Sequence, residues 1–305
     1  MILRALVILS LPALAAYAQA DPPTLEEQLE IIFKQSELLP VLAGVKPIST
    51  IELPIYATAE PASQDAAFQF TQLDLTDPID RQRFSASNEK YAAHVRAFYA
   101  RLAEAQQNGP LRNPEVEFIY FLEHNGLKPN VAVVNRSALQ RLLEDPAAMK
   151  VLAEYGDRTP KTVDEALKMF RQAADSGGFY RGPASAQAMV GILLGYPPAD
   201  VRLYAQEVSS NAKNSFPRLA HPSGKSGFGP RDSEAYLGSF ANLTRENSAD
   251  KALLHESGSR ALAHFKRLRG QGQSYVQIFN RGPEMRTELN SIFRSQCVRS
   301  RLGSP

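Results

Sequence analysis

Proline placement divides the chain into two stretches that cannot fold alike. A proline has no backbone N–H to donate and its ring clashes with the preceding helical turn, so closely spaced prolines exclude long helices. Five prolines fall between residues 40 and 80, at positions 40, 47, 54, 61 and 78. We therefore predict looped or extended structure in this stretch, with one strand over Ser49–Tyr56.

After residue 80 the apolar side chains recur at helical spacing. Tyr91, Val95, Phe98 and Leu102 follow one another at steps of four, three and four, which aligns them on one face of a helix that begins near Ser87. Similar signals predict further helices over Ser137–Tyr155, Thr162–Ala174, Pro183–Gly195, Ala199–Ser209 and Met285–Leu302, and one that starts at Asn247 or Ser248 and runs to about Arg269.

Two short runs between these helices have the composition of strands. Val116–Leu122 and Val131–Val134 are rich in β-branched and aromatic residues, and Gly126 and Pro129 between them indicate a turn. We predict that the two runs pair as a hairpin. The predicted fold class is mainly α (α+β): a helical globular domain with a small β-hairpin or short sheet and a proline-rich N-terminal region.

The first helix has a clear start signal. Thr24 follows two prolines, and Glu27 three residues later completes the pattern of a capping box. We predict a helix from this cap to about Leu39, where Pro40 would end it.

The first 20 residues have the pattern of a cleavable export signal. One positive charge at Arg4 precedes a largely apolar stretch, and the small residues Ala18 and Ala20 suit the pockets of signal peptidase. That stretch, about 14 residues, is shorter than the ~20 that span a bilayer as a helix. We divide the chain into a signal peptide (1–20), an acidic proline-rich region (21–80) and a mainly helical domain with basic C-terminal helices (81–305). We expect a soluble protein that is periplasmic or secreted, periplasmic if the source is a Gram-negative bacterium.

The two ends of the expected mature chain carry opposite charge. Residues 21–80 contain 11 carboxylates and two lysines, whereas residues 251–305 contain ten Lys and Arg and three Glu. Two interpretations follow with equal weight. Either the basic end meets an anionic partner such as a phospholipid surface, lipopolysaccharide or a wall polymer, or the acidic and basic ends pack against each other.

Three short patterns resemble the signature of penicillin-binding proteins and serine β-lactamases. They are Ser87-Asn88-Glu89-Lys90, Ser209-Ser210-Asn211 and Lys225-Ser226-Gly227, in the order of that family. The resemblance implies Ser87 as nucleophile and Lys90 as base in an extracytoplasmic hydrolase of cell-wall material. In the family, however, the third element lies on a strand well after the second, whereas Lys225 follows Asn211 by only 14 positions in a loop rich in glycine and proline. These residues therefore support an alternative function only.

Two glycine-rich loops are candidate anion-binding sites. Lys225 and Ser226 lie in one loop, and Tyr180 and Arg181 lie in the other, Gly177–Gly182. Backbone N–H groups on a pliable glycine loop can cradle a phosphate, sulfate or carboxylate, and a mobile surface loop is the alternative interpretation.

Other classes of function find no support in the sequence. The histidines are not spaced to share a metal, because His255 and His264 are nine positions apart and point to opposite sides of a helix. The helical hairpin over residues 183–209 lacks a basic second helix, which argues against nucleic-acid binding. We predict no cofactor. The leading hypothesis is a non-catalytic protein that binds an anionic envelope component or another protein.

Overall fold

The computed structural model describes a large part of the chain, in several separate ranges. The described residues are 23–44, 46–51, 78–123, 125–126, 128–156, 158–179, 182–210, 262–282, 284 and 287. None of the helices within these ranges is long and apolar enough to cross a bilayer.

The described residues form helices around a small antiparallel sheet, which confirms the predicted mainly α (α+β) class. The strands are β1 (Ile48–Ile51), β2 (Val116–Glu123) and β3 (Lys128–Asn135). The helices before and after β1 are α1 (Leu25–Gln35), α2 (Leu38–Leu42) and α3 (Pro78–Gln107). Those after the sheet are α4 (Arg136–Leu143), α5 (Pro146–Tyr155), α6 (Val163–Asp175), α7 (Ala184–Leu193), α8 (Pro198–Ser210), α9 (residues 262–270) and α10 (Tyr275–Asn280).

β3 is the central strand of the sheet, in the order β1-β3-β2. It pairs antiparallel with both neighbours, so that Val134 lies opposite Ile48 of β1 and Val133 lies opposite Phe118 of β2. Successive side chains of a strand point to opposite faces. Since β3 is buried along almost its whole length, both faces of the sheet are covered.

Each face of the sheet supports its own apolar core. One core joins Phe118 and Val133 to side chains of α1, α2, α3, α9 and α10. The other joins Phe121 and Val134 to side chains of helices α4 to α8. The described residues therefore form a sheet between two helical layers, and the first layer combines α3 with helices from the two ends of the described chain.

Several local predictions are confirmed. Thr24 and Glu27 form the reciprocal capping box, with the Glu27 backbone N–H donating to Thr24 Oγ1 at 3.3 Å. Val95, Phe98 and Leu102 are buried along one side of α3. The predicted hairpin is present as β2 and β3, and the predicted helical hairpin is present as α7 and α8.

Three predicted boundaries were wrong. The first helix ends at Gln35 rather than near Leu39. The Ser36 hydroxyl donates to the Ile32 carbonyl at 2.7 Å and closes the last turn, and the short α2 begins after it. The helix predicted over 137–155 is two helices, because Asp145 caps a new one at the Ala147 N–H. Helix α3 begins at Pro78, nine positions before Ser87.

Candidate functional site

The candidate residues chosen from the sequence fall mainly outside the described residues. This holds for Tyr180, Arg181, Lys225 and Ser226. The backbones of Ser87 and Lys90 lie inside α3, and their side chains are outside the described set. Ser87 is therefore not at a helix start, the place that the resemblance to the acyl-enzyme family requires.

The described part of the Gly177–Gly182 loop is tightly packed rather than pliable. A Cβ on Gly178 would lie 2.7 Å from both the Ala173 carbonyl oxygen and a methyl group of Val190. Phe179 turns inward, with its ring 6.0 Å from the ring of Phe121. The second core holds this backbone, whereas the sequence suggested a pliable loop at these positions; the candidate residues Tyr180 and Arg181 themselves lie outside the described residues.

A buried ion pair connects α2 to the start of β1. Lys46 is 2% exposed and its Nζ donates to the carboxylate of Glu37, which is itself 8% exposed. The Glu37 backbone N–H donates to the hydroxyl of Ser49 at 3.1 Å, so the same residue is fixed at main chain and side chain. We call Glu37, Lys46 and Ser49, together with Asn135 and Tyr196, the polar junction.

The helical hairpin of the second layer closes one side of the polar junction. Lys46 Nζ lies 5.2 Å from the centre of the Tyr196 ring, a geometry in which the ring face stabilises an ammonium. The preceding Gly195 has a φ of +82°, and a Cβ there would lie 2.7 Å from Pro47 Cδ. Only glycine allows both this turn and this approach.

Asn135 connects the polar junction to the end of β3. It is fully buried; its amide donates to the Val41 carbonyl at 2.9 Å and its Oδ1 accepts from the Ala138 N–H at 2.8 Å. Its own backbone N–H donates to the Pro47 carbonyl at 2.8 Å. One side chain therefore caps α4 and holds α2 against the end of β3.

Burial sets the ionisation of the lysine. It lowers the pKa of Lys46 from 10.5 to about 7, because an ammonium loses its hydration inside the protein. Lysines with such values serve as bases and as Schiff-base nucleophiles when a substrate can reach them. The 2% exposure of Lys46 gives no such access, so we assign the pair a structural role.

Sequence reasoning missed Lys46, although a signal was present. Lysine is seldom buried, and a lone lysine is normally assigned to the surface. Here, however, it lies within Leu38–Ile48, a run that is otherwise apolar, glycine or proline. A charged side chain in an apolar run either lies at the protein surface or needs a buried partner of opposite charge. Glu37, directly before the run, is that partner.

The acidic and basic ends of the described chain pack together. The Glu26 carboxylate accepts from the backbone N–H groups of Tyr275 and Val276 at the start of α10, the second at 3.1 Å, and lies 3.8 Å from Arg269. In the same contact between α1 and α9, the ring of Phe33 stacks on the ring of Phe265, with 5.0 Å between the ring centres. Helices α1, α9 and α10 therefore follow the second interpretation of the charge split, in which the acidic and basic ends pack against each other.

Helix α9 nevertheless keeps charges on its outer side. Ala263, Lys266, Arg267 and Gly270 are all exposed and follow the spacing i, i+3, i+4, i+7 that defines one helix face. We call these four residues the basic stripe. The Arg267 guanidinium contacts His264 Nδ1 at 2.8 Å, which fixes its direction along the helix.

The side chains that the structure describes do not form a cluster of metal ligands. Within these ranges no group of three or more His, Cys, Asp or Glu residues is placed to hold an ion.

Comparison with known proteins gives a family and no relative of established activity. No curated protein and no solved structure matches the chain. The family described as "Protein of unknown function (DUF3793)" matches residues 35–215, more than half of the chain. The match contains the polar junction, the whole sheet and the second helical layer, while α9, α10 and all of α1 except its last residue lie outside it. The chain therefore belongs to the DUF3793 family.

Proposed function

We propose that this is an exported, non-catalytic binding protein of the periplasm or cell envelope, which holds an anionic envelope component through its C-terminal helices. The observation that carries the proposal is the basic stripe. Its cations are exposed on α9, while the neighbouring Phe265 and Leu268 are buried in the core. The export pattern of residues 1–20 supports the compartment.

The support beneath the stripe is rigid, which favours binding. Phe265 is fully buried against Phe33, and Arg269 lies 4.0 Å from the centre of the Tyr275 ring. A helix that its core already holds in place loses little backbone freedom when it binds, so only the ordering of its side chains opposes binding.

The composition of the C-terminal end indicates the chemistry of the partner. Eight of the ten basic residues in 251–305 are arginines. The planar guanidinium donates two parallel hydrogen bonds to a phosphate or carboxylate, which a lysine ammonium does not. A phosphate-bearing or carboxylate-bearing envelope component is therefore the partner we expect.

Co-sedimentation of the mature chain, residues 21–305, with anionic lipid vesicles and with purified cell wall at low salt tests the proposal. We expect retention on at least one of these materials. The double variant Lys266→Glu/Arg267→Glu should lose it. The matched control Lys150→Glu/Lys168→Glu, which makes the same charge change at exposed positions of α5 and α6 in the other layer, should keep it.

Two outcomes would contradict the proposal. One is the absence of retention on every anionic material, and the other is equal loss of retention in the two double variants. A chain shortened by residues 285–305 measures the contribution of the last arginines separately. Export is tested by mass spectrometry of the native protein, which should begin at Asp21, and a native chain that begins at Met1 would refute it.

A further inference from the structure

The inward side of α9 packs against the protein's own core. Phe265 is 0% and Leu268 3% exposed, and both belong to the core that covers the sheet. The same is true of α10, where Ile278 and Phe279 are fully buried. An amphipathic helix that enters a bilayer needs its apolar face for the acyl chains, and here that face is already occupied by the protein's own core.

The outward side of α9 is shaped for close approach to a flat layer. The basic stripe places Lys266 and Arg267 side by side, between the small residues Ala263 and Gly270. Among the residues that the structure describes, none has a heavy atom within 4 Å of the position that a Cβ on Gly270 would take. No bulky side chain of the stripe therefore keeps an extended surface away from the two cations.

On this basis we propose that the basic stripe docks on the phosphates of an anionic phospholipid surface by charge alone, without insertion into the bilayer. The proposal rests on the proposed binding function and names its partner. A flat layer of phosphates reaches both cations at once, and the small residues at either end of the stripe let it do so. A polymer strand would instead require a groove, and the stripe is the convex side of a helix.

Electrostatic docking has a measurable signature. A lysine or arginine close to an anionic leaflet contributes about 1 kcal/mol, or roughly fivefold in partition coefficient. Neutralising both cations in Lys266→Gln/Arg267→Gln should therefore lower partitioning about 30-fold at low salt. Because exposed charges are screened within about 10 Å at 0.1 M ionic strength, high salt should remove the same increment from the unchanged protein.

The experiment compares the mature chain on vesicles of phosphatidylcholine alone and of phosphatidylcholine mixed with phosphatidylglycerol, each prepared large and small. We expect binding only where phosphatidylglycerol is present, equal on large and small vesicles, and lost in high salt. The Gln double variant should bind weakly, and Lys150→Gln/Lys168→Gln should bind like the unchanged chain.

The outcomes separate this inference from the proposed function. Binding to pure phosphatidylcholine, preference for small and strongly curved vesicles, or binding that persists in high salt would each indicate insertion and overturn the inference. Retention on purified wall with no binding to phosphatidylglycerol would also overturn it, while leaving the proposed function in place. Failure on every anionic material would refute both.

Discussion

Replacing Lys46 by methionine should destabilise the protein far more than removal of a surface lysine. Methionine has a similar length and no charge, so it keeps the volume of the site while it leaves the carboxylate of Glu37 buried without its partner. Removing one member of a buried ion pair typically costs about 3–5 kcal/mol, since the other charge stays in a low-dielectric environment.

The matched control is the exposed pair of Glu30 and Lys34 on α1. Their side chains are 39% and 35% exposed and lie one helical turn apart. Such pairs contribute about 0.3–0.5 kcal/mol, so Lys34→Met should have little effect. The double variant Glu37→Met/Lys46→Met removes both buried charges, and its stability should return to within about 1.5 kcal/mol of the unchanged protein, because two well-packed apolar residues often replace such a pair without loss.

Urea denaturation below pH 7, where Lys46 is protonated, provides the measurement. The single variants Glu37→Met and Lys46→Met, their double variant and the control Lys34→Met are each compared with the unchanged protein. The coupling of Glu37 with Lys46 then follows from a double-mutant cycle. A loss for Lys46→Met below about 1 kcal/mol, no larger than that of a surface variant, would refute the reasoning that the pair is desolvated and mutually dependent.

Three further predictions follow from the same contacts. Burial lowers the pKa of Lys46 from 10.5 in the unfolded chain to about 7 in the folded protein, so between these pH values the unfolded chain binds one more proton. The free energy of unfolding should therefore rise with pH in this range, by up to about 1.4 kcal/mol per pH unit. In urea titrations at several pH values, Lys46→Met should lack this slope. Gly195→Ala should destabilise by more than about 1 kcal/mol in thermal unfolding, since φ is +82° and the new methyl group would meet Pro47; an unchanged melting temperature would contradict that turn. Glu26→Gln should weaken the start of α10 by about 1 kcal/mol, seen as faster amide hydrogen exchange at Tyr275 and Val276, and unaltered exchange there would show that the carboxylate is not their acceptor.

Local signals in the sequence predicted the elements whose cause is local. The capping box at Thr24 needs only residues within one helical turn, and it is present. The helical spacing of Val95, Phe98 and Leu102 predicted one buried face, and all three side chains are buried in the structure. Each of these features depends on neighbours in the chain, which is why spacing alone was enough to find it.

Features that depend on distant partners were not predictable in this way. Pro40 was expected to follow a helix and instead lies inside the short α2, whose five residues are all buried. Lys46 was not chosen as a site residue, because its partners come from the residue before α2 and from the hairpin of α7 and α8, 150 positions later for Tyr196. The charge split left two interpretations open, since no pattern within either end tells whether the other end will cover it.

The contact between α1 and α10 constrains the order in which the chain can fold. Glu26 and Tyr275 are 249 positions apart, and Phe33 meets Phe265 from nearly as far away. A chain that emerges from a ribosome or a pore with its N-terminus first exposes the apolar side of α1 long before α9 and α10 appear to cover it. Completion of that layer must wait for the last helices, so the apolar side of α1 stays exposed through most of synthesis, a condition in which partly folded chains are prone to aggregate.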